Sequence, residues 1–223
     1  MKIVLDCGST HMGDKDSCFE LIDTAKEVGA DCIKFQLGVQ RPNIDIPLKW
    51  WSELVLRAES NEIEITASTF NDKAFDMLLE YRPVFMKFSY REAQNADANY
   101  HLSYIQKVLD AGLQCVVSTD VMNYKRFPGC IKLFCEGVYP VTWERCYEGL
   151  FPPFDGISCH AMGWGQTYSA VRAGAKWVEK HFMLDNNADC PDANFALKPN
   201  ETLSMIRHCK SAGSLFNYKE ALH

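Results

Sequence analysis

The chain has 223 residues, 47% hydrophobic and 23% charged, with a formal net charge of −6. That is apolar material for a full core, while the acidic balance and the lack of any Lys/Arg run exclude a nucleic-acid or anionic-membrane surface, so an anionic ligand must be held by a local pocket. No stretch is long and apolar enough to span a bilayer, and Met1-Lys-Ile-Val-Leu-Asp-Cys-Gly8 enters a strand pattern without a signal-peptide core, which predicts a cytoplasmic protein.

From the N-terminus, Lys2–Gly8 predicts a strand, Ser17–Val28 a helix stopped by Gly29, and Asp31–Gln36 a strand. Trp50–Ser60 reads as helix, Ile63–Thr69 as strand, Asp72–Tyr81 as a helix capped by Asn71, and Val84–Tyr90 as a strand after Pro83. Tyr100–Ala111 is a predicted helix ended by Gly112. Leu113–Thr119 and Cys130–Gly137 are predicted strands, and the link between them, containing Met122–Phe127, barely holds a helix. A short connection follows Tyr139-Pro140. The segment Asp155–Asp185 reads as one βαβ unit: a strand over Gly156–Cys159, a helix over Gln166–Ala173 stopped by Gly174, and a strand over Ala175–Phe182. Asn186–Pro199 is irregular and a candidate lid, and Glu201–Ser211 is the last predicted helix.

Eight apolar strands in βα order predict an α/β protein, a compact (β/α)8 TIM barrel with some outer helices short or missing, formed as one domain by residues 1–223. The competing open doubly wound sheet carries a Gly-rich phosphate turn after its first strand, and Gly8-Ser-Thr-His-Met-Gly13 does not match it. Ten cysteines show no Cys-x-x-Cys spacing; Cys7, Cys32, Cys115, Cys135 and Cys159 fall in apolar runs, which predicts buried reduced thiols.

In such a barrel, ligand chemistry collects at the strand C-termini. A parallel pair joined by a right-handed crossover brings both C-termini to one edge, so His160 and His181 emerge side by side and can share a metal; otherwise each is a polar residue hydrogen-bonded at a strand end. The other strand ends supply Asp6 and His11, Lys34 and Gln36, Ser68 and Thr69, Lys87, Ser89 and Glu92, Ser118 with Thr119 and Asp120, Tyr139, Ser158, and Glu179 with Lys180; the lid adds Asp192. Cations and hydroxyls suit a phosphate or carboxylate, imidazoles a divalent metal, and a carboxylic acid a proton transfer. Lys34 and Lys87 lie in apolar strands, where an uncompensated lysine is costly. They are therefore solvated strand ends, structural ion pairs, or partners of a bound anion. Lys180 alternates in direction with Glu179 and His181 and is expected to face the helices.

With these residues assembled, nearly the whole chain resembles the N-terminal barrel of the sialic acid synthase family. Asp6-Cys-Gly-Ser-Thr-His-Met-Gly-Asp14 resembles its Glu-Ile-Gly-x-Asn-His-x-Gly-Asp opening, and Gly29-Ala-Asp-Cys-Ile-Lys-Phe-Gln36 its Gly-Ala-Asp-x-x-Lys-Phe-Gln. Met86-Lys-Phe-Ser-Tyr-Arg-Glu92 is similar to Phe-Lys-Ile-x-Ser-x-Glu, and Cys135 with Tyr139-Pro140 to Cys-x-x-x-Tyr-Pro. Ile157-Ser-Cys-His160 resembles Leu-Ser-Asp-His, and Val178-Glu-Lys-His-Phe-Met-Leu-Asp185 resembles Ile-Glu-Lys-His-Phe-Thr-Leu-Asp. Cys190-Pro-Asp-Ala-Asn-Phe-Ala-Leu-Lys-Pro199 matches Gly-Pro-Asp-His-x-Phe-Ser-Leu-x-Pro in most positions.

The resemblance implies condensation of phosphoenolpyruvate with an N-acylmannosamine-like aldose to give a nonulosonic acid and phosphate. His160 and His181 would ligate a divalent metal, Mn2+ foremost, with Mg2+, Co2+ or Zn2+ as alternatives. Lys34, Lys87, Thr69, Ser118 and Ser158 would hold phosphoenolpyruvate. Gln36, Tyr139 and Asp192 would lie near the sugar, and Glu92, Asp6 and His181 would take the catalytic positions. Asp6 stands for a glutamate, Thr10 for an asparagine and Gly137 for a residue that is often polar. Cys159 stands for an aspartate, either as a soft ligand or pointing away. The sequence ends at His223 without the family's C-terminal antifreeze-like domain, so a homo-oligomer or a partner supplying that domain is expected. The competing readings are condensation with a different aldehyde and a catalytically silent sugar- or phosphate-binding barrel.

Overall fold

The computed structural model describes residues 1–39, 41, 44–91, 98–185 and 189–220, with the side chains of 98–100 and 215–220 left aside. Eight strands, β1 (Lys2–Asp6), β2 (Cys32–Leu37), β3 (Glu64–Thr69), β4 (Met86–Phe88), β5 (Cys115–Thr119), β6 (Ile131–Cys135), β7 (Gly156–Cys159) and β8 (Trp177–His181), close a barrel in sequence order. Every neighbouring pair is parallel, with β8 returning to β1 in the register Asp6↔His181. The predicted (β/α)8 architecture is the observed one.

Local chemistry explains the helices. In α1 (Lys15–Glu27), Asp14 accepts the Ser17 N–H at 2.7 Å, and the buried Cys18, Leu21, Ile22 and Ala25 keep helical spacing. The helix α2 (Trp51–Ser60) follows a 3-10 turn at Leu48–Trp50, and α3 (Asp72–Tyr81) is capped by Asn71, which accepts the Ala74 N–H at 2.9 Å. The helix α4 spans Ala98–Asp110 and α5 spans Gly165–Arg172. Between β5 and β6 the chain makes a 3-10 turn over Tyr124–Arg126, as the short link requires. The last helix, α6 (Pro199–Glu220), runs past the predicted end at Ser211. Gly213 costs a helix interior about 1 kcal/mol, too little to stop one already anchored by the buried Thr202, Met205, Ile206, Cys209 and Ala212. Strand β4 is shorter than Val84–Tyr90, because its only β3 pairing is Ser68↔Lys87 and the chain turns into helical conformation at Tyr90.

Strand alternation divides the barrel into two compartments. Val4, Cys32, Phe85, Val116 and Leu133 form an apolar plug with Ile131 and Trp177, and the larger core, including Ile3, Leu5, Ile33, Phe35, Val117, Ile157 and Val178, lies between the strands and helices. Above the plug, the next inward positions are polar: Asp6, Lys34, Lys87, Ser118, Ser158 and Glu179, all buried. Trp177 packs edge-on against Phe85 with centroids 5.5 Å apart, and Gly156, paired with it across β7 and β8, gives it room. A Cβ at Gly156 would lie 2.1 Å from the Trp177 carbonyl oxygen. Gly156→Ala is therefore expected to destabilise the fold by at least about 2 kcal/mol, read as a lower urea midpoint with an unchanged m-value.

Candidate active site

The strand ends open into a pocket of about 840 Å3 whose lining includes Asp6, Ser9, Lys34, Gln36, Thr69, Lys87, Ser118, Tyr139, Ser158, His160, Glu179, His181, Asp192 and Phe195. Every residue to which the resemblance gives a role is among them except Glu92, which lies outside the described residues; of the other strand-end residues, Ser68, Thr119, Asp120 and Lys180 do not line the pocket. His11 does not join the other two histidines. It is buried in the loop after β1, 6.3 Å from the helix-facing Phe35, with Nδ1 accepting the Gly13 N–H at 3.0 Å.

The floor of the pocket is a layer of buried charge. Lys34 Nζ lies 2.7 Å from Asp6 Oδ2 and 3.7 Å from Glu179 Oε2, and Lys87 Nζ lies 3.5 Å from Glu179 Oε1. Lys87 also donates to Ser118 Oγ at 2.7 Å, and Ser158 Oγ donates to Glu179 Oε1 at 2.8 Å. Burial lowers the Lys87 pKa, and Glu179 offsets part of that effect. Burial alone would raise the Glu179 carboxyl, but Lys34, Lys87 and Ser158 outweigh it and hold the group below the usual carboxylate range. Of the three options that the sequence left for the lysines, solvated strand ends are excluded, since both are almost fully buried.

The histidines stand above this layer with ring centroids 5.3 Å apart. Cys135 Sγ lies 3.6 Å from His160 Nδ1, Tyr139 packs on the ring at 4.1 Å and Phe195 at 5.7 Å. From behind, Lys180 donates to the carbonyls of Cys159 and Ala161, gripping the backbone on both sides of His160. Lys180 thus faces the helices as its alternation predicts. Cys159 belongs to the helix-facing core, so the thiol beside the imidazole is that of Cys135. Burial, reinforced by His181, lowers the His160 pKa well below the usual histidine value, which keeps it neutral and able to ligate.

His181 Nε2 is 3.4 Å from Asp6 and Nδ1 is 3.7 Å from Asp192, and Nδ1 is buried without a hydrogen bond. Gly8, at φ +46°, makes this close approach feasible: a Cβ there would sit 2.8 Å from the imidazole and 2.3 Å from Asp192. The loop carrying Asp192 is docked, with Phe182 bridging to Leu197 and Asp192 accepting both the N–H and the Oγ–H of Ser9 at 2.8 and 2.9 Å. Gly137 leaves space for Tyr90, whose hydroxyl donates to Asp120 at 2.7 Å; a Cβ at Gly137 would meet that ring at 2.2 Å.

Two facing imidazoles, His160 and His181, the latter with a buried Nδ1 that has no hydrogen bond, fit a divalent cation. Among the described residues, no group of three or more His, Cys, Asp or Glu side chains is arranged to hold one.

The NeuB family model matches residues 37–220. This chain belongs to the NeuB family. It is 26% identical to N-acetylneuraminate-9-phosphate synthase of Mus musculus, the match covering 92% of this chain and 68% of that protein. It is 23% identical to a pseudaminic acid synthase of Campylobacter jejuni over 95% of this chain and 74% of the relative. Its fold matches the crystal structure of the N-acetylneuraminic acid (sialic acid) synthetase of Leptospira borgpetersenii in complex with citrate at a TM-score of 0.82 and 20% identity, covering 96% of this chain and 84% of that one. Against the expectations for a NeuB barrel, the structure adds Cys135, Ser9 and Phe195 to the site and gives the strand-end Glu179, to which the resemblance assigned no role, a place in its floor. The sequence collects Glu179 at the end of β8, where residues 177, 179 and 181 share the inward face. The other three depend on contacts between distant strands and loops.

Burial pushes the His11 imidazole down to about 4. An unfolded histidine protonates near pH ~6.5, so stability is complete above that value and falls with pH until the folded group itself titrates, by an amount on the order of 3 kcal/mol. The urea midpoint is expected to drop between about pH 7 and about pH 4.5, and His11→Gln is expected to narrow that drop measurably.

Proposed function

We propose that this NeuB-family chain condenses phosphoenolpyruvate with an N-acylmannosamine-like aldose, giving a sialic-acid-type nonulosonic acid and phosphate. The observation that carries this reading is the convergence, in one pocket, of two buried lysines flanked by Ser118 and Ser158 with a pair of buried histidines directly above them. The relatives named as N-acetylneuraminate-9-phosphate and pseudaminic acid synthases support the same reaction class.

Lys34 and Lys87, with Ser118, Ser158 and Thr69, bind the phosphate and carboxylate oxygens of phosphoenolpyruvate. Gln36, Tyr139 and Asp192 orient the open-chain sugar, whose aldehyde is placed beside His160 and His181. These histidines would hold the divalent cation, Mn2+ foremost and otherwise Mg2+, Co2+ or Zn2+, which when bound supplies Lewis-acid polarisation of the aldehyde oxygen. The enol carbon of phosphoenolpyruvate bonds to the aldehyde carbon, whose oxygen takes a proton and becomes a hydroxyl. Water then adds to the cationic carbon left behind, and phosphate departs with the bridging oxygen by carbon–oxygen cleavage. Tyr139 and Phe195, packed over the histidines, exclude bulk water from the reacting carbons. Asp6 accepts from Lys34 and stands beside His181, so it steadies both the phosphate and the histidine side. Glu92 is assigned proton transfer on the strength of its motif.

The test is phosphate release from phosphoenolpyruvate with Mn2+ and a panel of aldoses that includes N-acetylmannosamine, with and without chelator. Metal-dependent release that requires an aldose is the expected result, and no release with any aldose overturns the reading. His160→Ala and His181→Ala should each lower Mn2+ affinity by more than the roughly 10- to 100-fold typical of losing an outer-shell partner, read by titration calorimetry. Undiminished metal binding in both would sink the assignment of the histidines.

A further inference from the structure

The pocket floor already contains an anion of its own. Glu179 extends from β8 into the barrel, 4% exposed, and its carboxylate sits where three donors meet: Lys34, Lys87 and Ser158. Its contacts with the lysines are long, 3.7 and 3.5 Å, and Oε2 makes no hydrogen bond although it is buried. Each lysine has a tighter partner elsewhere, Asp6 for Lys34 and Ser118 for Lys87, both at 2.7 Å. Glu179 therefore neutralises the centre of the cradle without being locked into it, at the spot that a multiply charged oxyanion would occupy to reach both ammonium groups.

Charge balance makes the consequence specific. Lys34 and Lys87 match Asp6 and Glu179 charge for charge, so a phosphate entering this buried layer brings uncompensated negative charge to a place where like charges repel strongly. We propose that Glu179 is a place-holding carboxylate that satisfies Lys34 and Lys87 until a phosphate-bearing substrate arrives and then yields the lysines to it. The inference rests on the reading of the two lysines as phosphate ligands. It makes the anion affinity of the metal-free protein the outcome of a competition between the substrate phosphate and an internal carboxylate. It also gives the buried lysines a partner during the part of the cycle when no substrate is bound.

Inorganic phosphate and phosphoenolpyruvate titrated calorimetrically into chelator-treated protein test this without turnover. Glu179→Gln keeps the shape and the contact with Ser158 but removes the competing charge, so it should bind phosphate roughly tenfold tighter than the wild type or better. Phosphate should also raise its Tm by more than it raises that of the wild type, because the ligand replaces the missing partner of the lysines. Glu179→Asp keeps the charge in the core and withdraws it from Lys87, so its phosphate affinity should lie between the two; it also preserves the test if Glu179→Gln does not fold. Asp6→Asn removes equal charge from the far side of Lys34 and should gain less. Phosphate affinity in Glu179→Gln no better than wild type, or an equal gain in Asp6→Asn, overturns the proposal. If the wild type with Mn2+ added binds neither phosphate nor phosphoenolpyruvate, the lysines are not phosphate ligands and the place-holder falls with that reading.

Discussion

A set of buried ion pairs governs this molecule. Lys34, Lys87, Asp6 and Glu179 are each almost fully removed from solvent inside the barrel, where a lone charge would cost several kcal/mol and a matched set is tolerable only with good geometry. The four strands that supply them must therefore hold register to within one residue, because a slip would turn every one of these groups toward the apolar outer layer. The plug of Val4, Cys32, Phe85, Val116 and Leu133 below them closes the barrel on that side, so the charged layer becomes the floor of a pocket that opens toward the strand C-termini.

The histidine pair inherits its order from the same frame. His181 follows Glu179 by two residues on β8 and shares its inward face, and its closest charged neighbour is Asp6 of the floor. His160 is fixed in front by Cys135 and Tyr139 and behind by Lys180, which is outward-facing on the neighbouring strand β8. The run Glu179-Lys180-His181 thus serves three surfaces at once: the floor, the backbone that carries His160, and the histidine site. The docked loop completes the enclosure. Phe195 contacts both imidazoles, and Asp192 is tied to Ser9 across the mouth. A site assembled this way is preorganised by strand register rather than by loop closure, consistent with a reaction in which two polar substrates must be held in contact.

Much of this was legible in the sequence. The period-two and helical patterns, the Gly and Asn punctuation and the βα order give eight strands and the barrel, because local periodicity reports which face each element buries. The strand-end rule then collects Asp6, Lys34, Lys87, Ser118, Ser158, His160 and His181 without any contact being known. The helix boundary at Ser211 and the length of β4 were misplaced because capping signals are local, whereas α6 continues on the strength of its packing.

Tertiary structure alone decided which charges meet and which histidines pair. His11 and His181 look equivalent as strand-end histidines, but one is packed outside the barrel against the helix-facing Phe35 and the other lines the pocket. That Lys34 and Lys87 share Glu179, and that Cys135 rather than Cys159 reaches His160, depends on distances across strands far apart in sequence. Alternation fixes the side of the sheet to which a residue points. The curvature and stagger of a closed barrel fix which residue it meets there.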